Sequence, residues 1–368
     1  MITLSRLFVY PVKSMRGLQL SHTQALESGL AFDRVFMLTE PDGTFISARQ
    51  FPEMVLFTPI LLPEGLLIIA PDNSKAFIRF ADFSSDSVTT EVWGNSFIAH
   101  VASDSINEWL SNFFPRPVQL RWTGTKPARR VERFEQVPLS FADGFPYLLI
   151  NMASLRDLQK RCPAGIRPEQ FRPNLLISGA DAWDEDSWKR IKIGEVTFDM
   201  PKPCSRCVFT TIGSESGRRH PDGEPLATLQ RFRSAKTSGD IDFGVNLIAL
   251  NSGIIRAGDS VTVLERQTPR IYQEREEIKT LKTTSLPPAV LKISYCNEQF
   301  AGDNQQVLLD QLEMKGFRIP YSCRAGICGS CRMTLVSGNV KALKQSAVCE
   351  NGTILCCSCI PEGDIELK

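Results

Sequence analysis

PYSCRAGICGSCR, residues 320–332, sets Cys323, Cys328 and Cys331 at a four-then-two spacing, and ILCCSCIPEGD follows at residues 354–364. That spacing holds a [2Fe–2S] cluster: each iron needs two thiolates, and three of the four come from one tight loop. The loop needs small residues so that its backbone can fold over the sulfurs, and Gly326 and Gly329 supply them. The competing reading is a tetrahedral zinc site held by four cysteines. Zinc favours two short Cys pairs, which this triplet fits poorly. A [2Fe–2S] cluster moves single electrons and does little chemistry alone, so the preceding residues are expected to hold what those electrons serve.

Around the loop, AVLKISYCN (289–297) reads as a strand and VLLDQLEMKG (307–316) as a helix ending at Gly316. A strand pair, one helix and then the cysteine loop resembles the β-grasp fold of ferredoxins. In that family the last cluster ligand follows an Ile-Leu-x stretch and precedes a proline by a few residues. Matched so, ILCCSCIP selects Cys357 from Cys349, Cys356, Cys357 and Cys359. Cys356 and Cys359 are then expected to face elsewhere, because side chains alternate along an extended segment. Before this domain, residues 266–287 are charged, poor in core-forming side chains and end at Pro287-Pro288. They read as a linker.

With 368 residues the chain has room for two or three domains. A hydrophobic share of 42% against 23% charged residues is ordinary for a soluble globular protein. A net charge of +1 gives no reason to expect nucleic acid or an anionic membrane as partner. The eleven cysteines are clustered and odd in number, and MITLSRLFVYPVKSMRG has no apolar core of signal-peptide length. No stretch approaches the roughly 18 apolar residues that span a bilayer. These features predict a cytoplasmic chain with reduced or metal-bound thiols.

The N-terminal part reads as mostly strands. ITLSRLFVYPV is β-rich, and VFMLTE and TFISA flank a Pro41-Asp42-Gly43 turn, a hairpin signal. A helix is expected at about 103–114, with Ile106, Leu110 and Phe113 on one face and Ser103 as cap. The middle region begins near residue 120, carries a helix at ASLRDLQKR and closes on a strand after the Gly258-Asp259 turn. The expected fold class is mainly β with α+β: a β-barrel region over 1–119, a second region over 120–265, the linker, and the β-grasp domain over 288–368.

The middle region holds a second cysteine motif, MPKPCSRCVFTT, with Cys204 and Cys207. A CxxC pair is half a zinc site, a redox pair, a ligand to another metal, or two buried thiols. Zinc would need two more ligands, and His22, His100 and His220 are not in ligand spacing. A thioredoxin-like pair should open a helix, whereas Val208 to Thr211 reads as a β-prone run. Lys13 in YPVKS, Arg34 in FDRVFML and Arg172 in FRPNLLI each lie in mainly apolar stretches, where an unpaired charge is costly. Together with Arg206 beside a candidate metal thiolate, they point to a shared anionic ligand bearing phosphate.

YPVKS, FDR, FRPN with SGADAWDEDSW, and PCSRC followed by TT resemble the MOSC family, most of all its mitochondrial amidoxime reducing component branch, over roughly residues 1–265. The resemblance implies molybdenum cofactor, a pterin dithiolene bearing a phosphate, with Cys207 on molybdenum. It also implies pterin and phosphate contacts from Lys13, Arg34, Arg172, Asn174 and Arg206, and weaker ones from Ser14, Ser154 and Ser205. The activity implied is two-electron reduction of N-hydroxylated compounds, the cluster reloading the metal one electron at a time. No GxGxxG follows a strand and PRIYQ lies in the expected linker, so a separate NAD(P)H-dependent flavoprotein reductase is expected as donor. The mitochondrial members carry a membrane anchor; none is seen here, and no membrane partner is expected. Where the family often reads TTVDPDTG after the cysteines, this chain reads TTIGSESG. Two other classes stay open: a carrier of sulfur to molybdenum enzymes through Cys207 persulfide, and an electron-transfer subunit of an oxygenase.

Overall fold

A computed structural model describes residues 1–273, 289–304, 306–317, 319–320, 329, 331–343, 347–348 and 352–368. The chain divides into two compact units, Met1–Glu274 and Arg275–Lys368.

The first unit is built on an eight-stranded sheet in the order Leu18–Leu20, Thr3–Val9, Leu175–Ser178, Tyr147–Asn151, Asp242–Ala249, Val196–Ser205, Trp188–Ile193 and Val261–Arg266. Tyr147–Asn151 and Leu175–Ser178 run parallel, joined through the helix Met152–Arg161; the other neighbours are antiparallel. Asp242–Ala249 is buried along its length, as a central strand covered on both faces must be. The core on this sheet gathers Leu4, Leu7, Leu149, Leu175, Trp188, Phe198 and Leu247.

A second core is built from a four-stranded sheet (Phe36–Thr39, Gln119–Trp122, Asn95–Val101, Ser87–Val92) and a three-stranded one (Thr58–Leu62, Gly65–Ile69, Lys75–Arg79). The expected boundary at 119/120 therefore falls on a strand, Gln119–Trp122, that pairs back to Phe36–Thr39. Thr3–Val9 in turn lies in the sheet of the later region. The two sequence regions fold as one unit because each lends a strand to the other.

The helix expected near 103–114 is Asp104–Ser111; Ser103 stands at its N-cap without a side-chain cap bond, and Leu110 is buried. The Pro41-Asp42-Gly43 turn forms, but its second arm is not a strand. TFISA contributes isolated bridges only, Thr39 to Phe45 and Thr44 to Glu91. Val208–Thr211 is a 3-10 turn rather than a continuing strand, tightened by Thr210 Oγ1 donating to the Cys207 carbonyl at 3.0 Å. The expected linker also starts later than its composition implied. Tyr272–Gln273 pairs with Ser234–Ala235, and Arg270 forms ion pairs with Asp242 at 2.9 Å and Asp240 at 3.4 Å. A charged sequence can dock through ion pairs that hydropathy does not register.

The second unit has a five-stranded sheet in the order Glu298–Asp303, Val290–Tyr295, Ile365–Leu367, Arg332–Ser337, Thr353–Leu355. The helix Leu308–Met314 is tied to it by Gln311, which accepts from Asp303 N at 2.7 Å and donates to Asp303 O at 2.9 Å. Ile293, Leu308, Leu312, Met333 and Ile354 form the core with Cys331, Cys356, Cys357 and Cys359.

Gly244 tests the central sheet. It sits at φ +73° between strands, and a Cβ there would stand 2.6 Å from the Leu149 carbonyl oxygen. Gly244→Ala should cost at least about 1–2 kcal/mol from the left-handed backbone alone, read as a lower urea midpoint. An unchanged midpoint would contradict this account of the strand.

Candidate functional site

The site grows from the ends of the long sheet, where five chain segments deliver cations to one place. Tyr10, just past the first strand, is buried, and the guanidiniums of Arg172 and Arg34 lie 4.1 and 4.7 Å from its ring centroid. Arg34 forms an ion pair with Asp33 and donates to the Arg172 carbonyl at 3.0 Å and Asn174 Oδ1 at 3.2 Å. Arg172 donates to the Met15 carbonyl at 2.6 Å. Arg206 donates to the carbonyls of Phe243 at 2.7 Å and Phe171 at 3.1 Å. Lys13 donates to the Phe141 carbonyl at 2.8 Å and pairs with Asp143.

Cys207 stands at the edge of this cluster, half-buried against the second core. Arg49 reaches its Sγ through both Nε and Nη2, each at 3.3 Å, and holds Asp143 at 2.8 Å. Its guanidinium also lies 4.9 Å from the centroid of Trp93, a face that favours a cation. Burial works against the Arg49 charge, and Cys207 and Asp143 overcome it, so its pKa is raised. Desolvation likewise works against the Asp143 carboxylate; Lys13 and Arg49 overcome it and hold its pKa well below the usual range.

The cations outnumber their counter-charges. Asp33 and Asp143 serve Lys13, Arg34 and Arg49, while Arg172 and Arg206 make no ion pair among the described residues. Burial, helped by repulsion from Arg34, lowers the Arg172 pKa to about 9. Burial lowers Lys13 to about 8 against the pull of Asp143. Among the side-chain polar atoms sealed from water without a hydrogen-bond partner in the described residues are three of this cluster: Tyr10 Oη, Arg172 Nη2 and Arg206 Nη2. Ser14, Arg34 and Arg172 hold left-handed backbone, φ 71°, 51° and 55°, a conformation that non-glycine residues seldom adopt and that clusters at functional sites. An anion with several acceptor oxygens would satisfy both the excess charge and the unpaired donors.

The structure thus brings Lys13, Arg34, Arg172, Arg206 and Cys207 together, with Ser14 beside Lys13. Asn174 is spent on the fold: it donates to Phe8 O at 3.2 Å and accepts from Leu148 N at 3.2 Å, which leaves it positioning Arg34. Ser154 makes its hydrogen bonds elsewhere, donating to Glu185 Oε1 at 2.6 Å and accepting from Trp183 N at 2.8 Å. Ser205 is exposed and reaches Asp242 at 3.3 Å. The Cys204 thiol is pushed up, first by burial. Arg49, Asp143, Tyr10 and Arg219, which donates to the Arg49 carbonyl, were not singled out from sequence. Arg49 lies in FISARQF, an apolar stretch of the kind that marked Arg34. Among the described residues no three His, Cys, Asp or Glu side chains gather as a metal site.

In the second unit, Cys323 and Cys328 lie outside the described residues. Gly329 sits at φ +75°, open to glycine without strain. Cys331 is buried, its carbonyl accepts from Cys356 N at 3.2 Å, and its thiol is in hydrogen-bonding reach of Cys356 and Cys357. Cys356–Ser358 is a 3-10 turn, which corrects the alternating-face argument against Cys356. In a turn, successive side chains need not face opposite ways.

Comparison with known proteins places three domain families on the chain. The MOSC N-terminal beta barrel domain matches residues 1–117, the MOSC domain 136–262, and the 2Fe-2S iron-sulfur cluster binding domain 296–362. The chain is 29% identical over 281 residues to human mitochondrial amidoxime-reducing component 1, covering 71% of this chain and 83% of that protein. It is 30% identical over 279 residues to rat mitochondrial amidoxime reducing component 2, covering 70% and 82%. It is also 30% identical over 292 residues to molybdenum cofactor sulfurase of rice, covering 72% of this chain and 34% of that protein. No helix among the described residues is long and apolar enough to cross a membrane.

The lowered pKa of Lys13 gives a test. In the unfolded chain Lys13 stays protonated to higher pH than in the native fold, so its charge penalises folding fully below about pH 8. That penalty is relieved as pH rises through 8. Wild type should therefore gain on Lys13→Met between pH 7 and 9.5, by on the order of 2 kcal/mol, in denaturant titrations without added anion. A constant difference would contradict it.

Proposed function

Because the chain belongs to the family of the mitochondrial amidoxime-reducing components, we propose that it reduces N-hydroxylated compounds with a bound molybdenum cofactor, drawing electrons through its C-terminal [2Fe–2S] cluster. The observation that carries this reading is the excess of buried guanidiniums, with unpaired N–H groups, around one half-buried thiol. The overall change is N–OH plus two electrons and two protons to N–H and water. When bound, the cofactor supplies a two-electron metal centre able to take oxygen from the N–OH group.

The chain's own residues bind and orient. Cys207 offers the thiolate to molybdenum, and the two Arg49 contacts on Sγ fix its direction. Arg172 Nη2, Arg206 Nη2 and Tyr10 Oη are free donors for the pterin and its phosphate. Lys13, Ser14 and Arg34 complete the cradle, and Asn174 acts through Arg34. Tyr10, Phe209 and Trp93 line the guanidiniums with apolar faces that keep water out. Cys323, Cys328, Cys331 and Cys357 hold the cluster in this reading. Held there, such a cluster would supply single electrons, two per N–OH reduced. A separate NAD(P)H-dependent flavoprotein reductase, in the same cytoplasmic compartment, supplies them.

Cys207→Ser should abolish reduction of an N-hydroxylated substrate while leaving the visible spectrum of the iron–sulfur cluster unchanged. Cys204→Ser should do much less; equal loss from both would sink the single-ligand assignment. Cys331→Ser should remove the cluster spectrum and turnover with NAD(P)H and the reductase, yet leave turnover with a small chemical reductant. Undiminished turnover with the reductase would put the cluster off the electron path.

A further inference from the structure

The loop TTIGSESG, residues 210–217, walls a cavity of about 330 Å3 in the first unit, lined also by residues 164–167 and Gln170. That volume suits a small molecule. The cavity adjoins the candidate metal site through the chain itself. Thr211 on its floor ends the 3-10 turn that begins after Cys207, and Gln170 Nε2 clamps that turn by donating to the Thr210 carbonyl at 3.0 Å. Arg219 on its wall donates to the carbonyl of Arg49, the residue that touches the Cys207 sulfur.

Arg218 gives the lining a cation outside its internal pairing. Arg167, Arg218 and Arg219 all border the cavity, against two carboxylates, Glu215 and Glu224. Glu224 is buried and committed, accepting from Thr228 N at 3.0 Å and pairing with Arg231 at 3.2 Å. Glu215 is shared between Arg16 at 3.1 Å and Arg167 at 3.5 Å. Arg218 is exposed, and its side chain has no partner among the described residues. A planar guanidinium fork at the mouth of a cavity matches an oxyanion in geometry as well as charge.

We propose that this cavity binds a small oxyanion, a carboxylate or a phosphate ester, with Arg218 as its recognition residue, and so favours N-hydroxylated substrates that carry such a group. The substrate part rests on the reductase reading; the anion site does not. Arg218 and Arg167 act as specificity determinants and take no part in the redox step.

The full-length, cofactor-loaded protein should bind benzoate or inorganic phosphate in calorimetric titration, the better of the two identifying the oxyanion. Arg218→Ala should weaken that binding roughly tenfold or more, as loss of a charge-assisted hydrogen bond does, and Arg218→Lys should recover part of it. Two N-hydroxyamidines differing only by a carboxylate or phosphate group should then show a kcat/KM ratio favouring the anionic one. Arg218→Ala should lower that ratio by a similar factor while leaving the uncharged substrate unchanged. Binding that Arg218→Ala leaves intact, or no binding of either anion, would overturn the site. Anion binding sensitive to Arg218, with neither compound reduced, would keep the site and remove its link to N–OH reduction.

Discussion

Burying guanidiniums without enough carboxylates is the constraint around which the first unit is arranged. An ion withdrawn from water loses several kcal/mol of solvation that only close partners restore. Arg172 and Arg206 get theirs from backbone carbonyls at Met15, Phe171 and Phe243 and from the faces of Tyr10 and Phe171. Those carbonyls lie in the loop that holds Met15, in the turn Pro168–Phe171 and near the start of the strand Asp242–Ala249. Arg34 and Arg172 also hold left-handed backbone, a strained conformation for residues with a Cβ. The strain is held by two cores closing on either side.

The thiol shares that arrangement. Phe209 and Ile212, which follow Cys207, belong to the core of the N-terminal sheets, while Val196–Ser205, which precedes it, lies in the long sheet. Cys207 therefore sits at the seam between the two sequence regions. Its electrostatic neighbours come from far along the chain: Arg49 from the first region, and Asp143 at the entry to the second. The cavity walled by residues 213–216 adjoins this seam through the turn Val208–Thr211, which follows Cys207 directly.

Much of this was legible in the sequence, and what was not has a physical reason. Periodicity located the helices Asp104–Ser111, Met152–Arg161 and Leu308–Met314, because burial of one face writes itself into local spacing. The basic residues in apolar stretches marked Lys13, Arg34 and Arg172 for the same reason. Asp143 and Tyr10 could not be found that way. A carboxylate beside a turn glycine and a tyrosine in a β-rich run have ordinary local explanations, and their roles exist through partners 24 to 162 positions away. The 3-10 turns at Val208–Thr211 and Cys356–Ser358 replaced the extended runs expected from composition, each directly beside or at a candidate ligand thiol. Docking of Arg270 and Tyr272 was hidden because it depends on Asp242, a buried carboxylate in a distant strand.

The pairing of Thr3–Val9 with Leu175–Ser178 carries a cost in time during synthesis. Thr3 lies opposite Ser178, so the first strand leaves the ribosome long before its partner. At about 5–20 residues per second that wait lasts roughly 10 to 35 seconds. The strand is largely apolar, with Leu4, Leu7 and Val9 fully buried in the finished fold, and an unpaired edge of that kind invites association with other chains. The edge strand Val261–Arg266 emerges later still. Until Leu175–Ser178 is made, the edge of Thr3–Val9 that will pair with it stays open to other chains, so early association competes with folding most strongly at this strand.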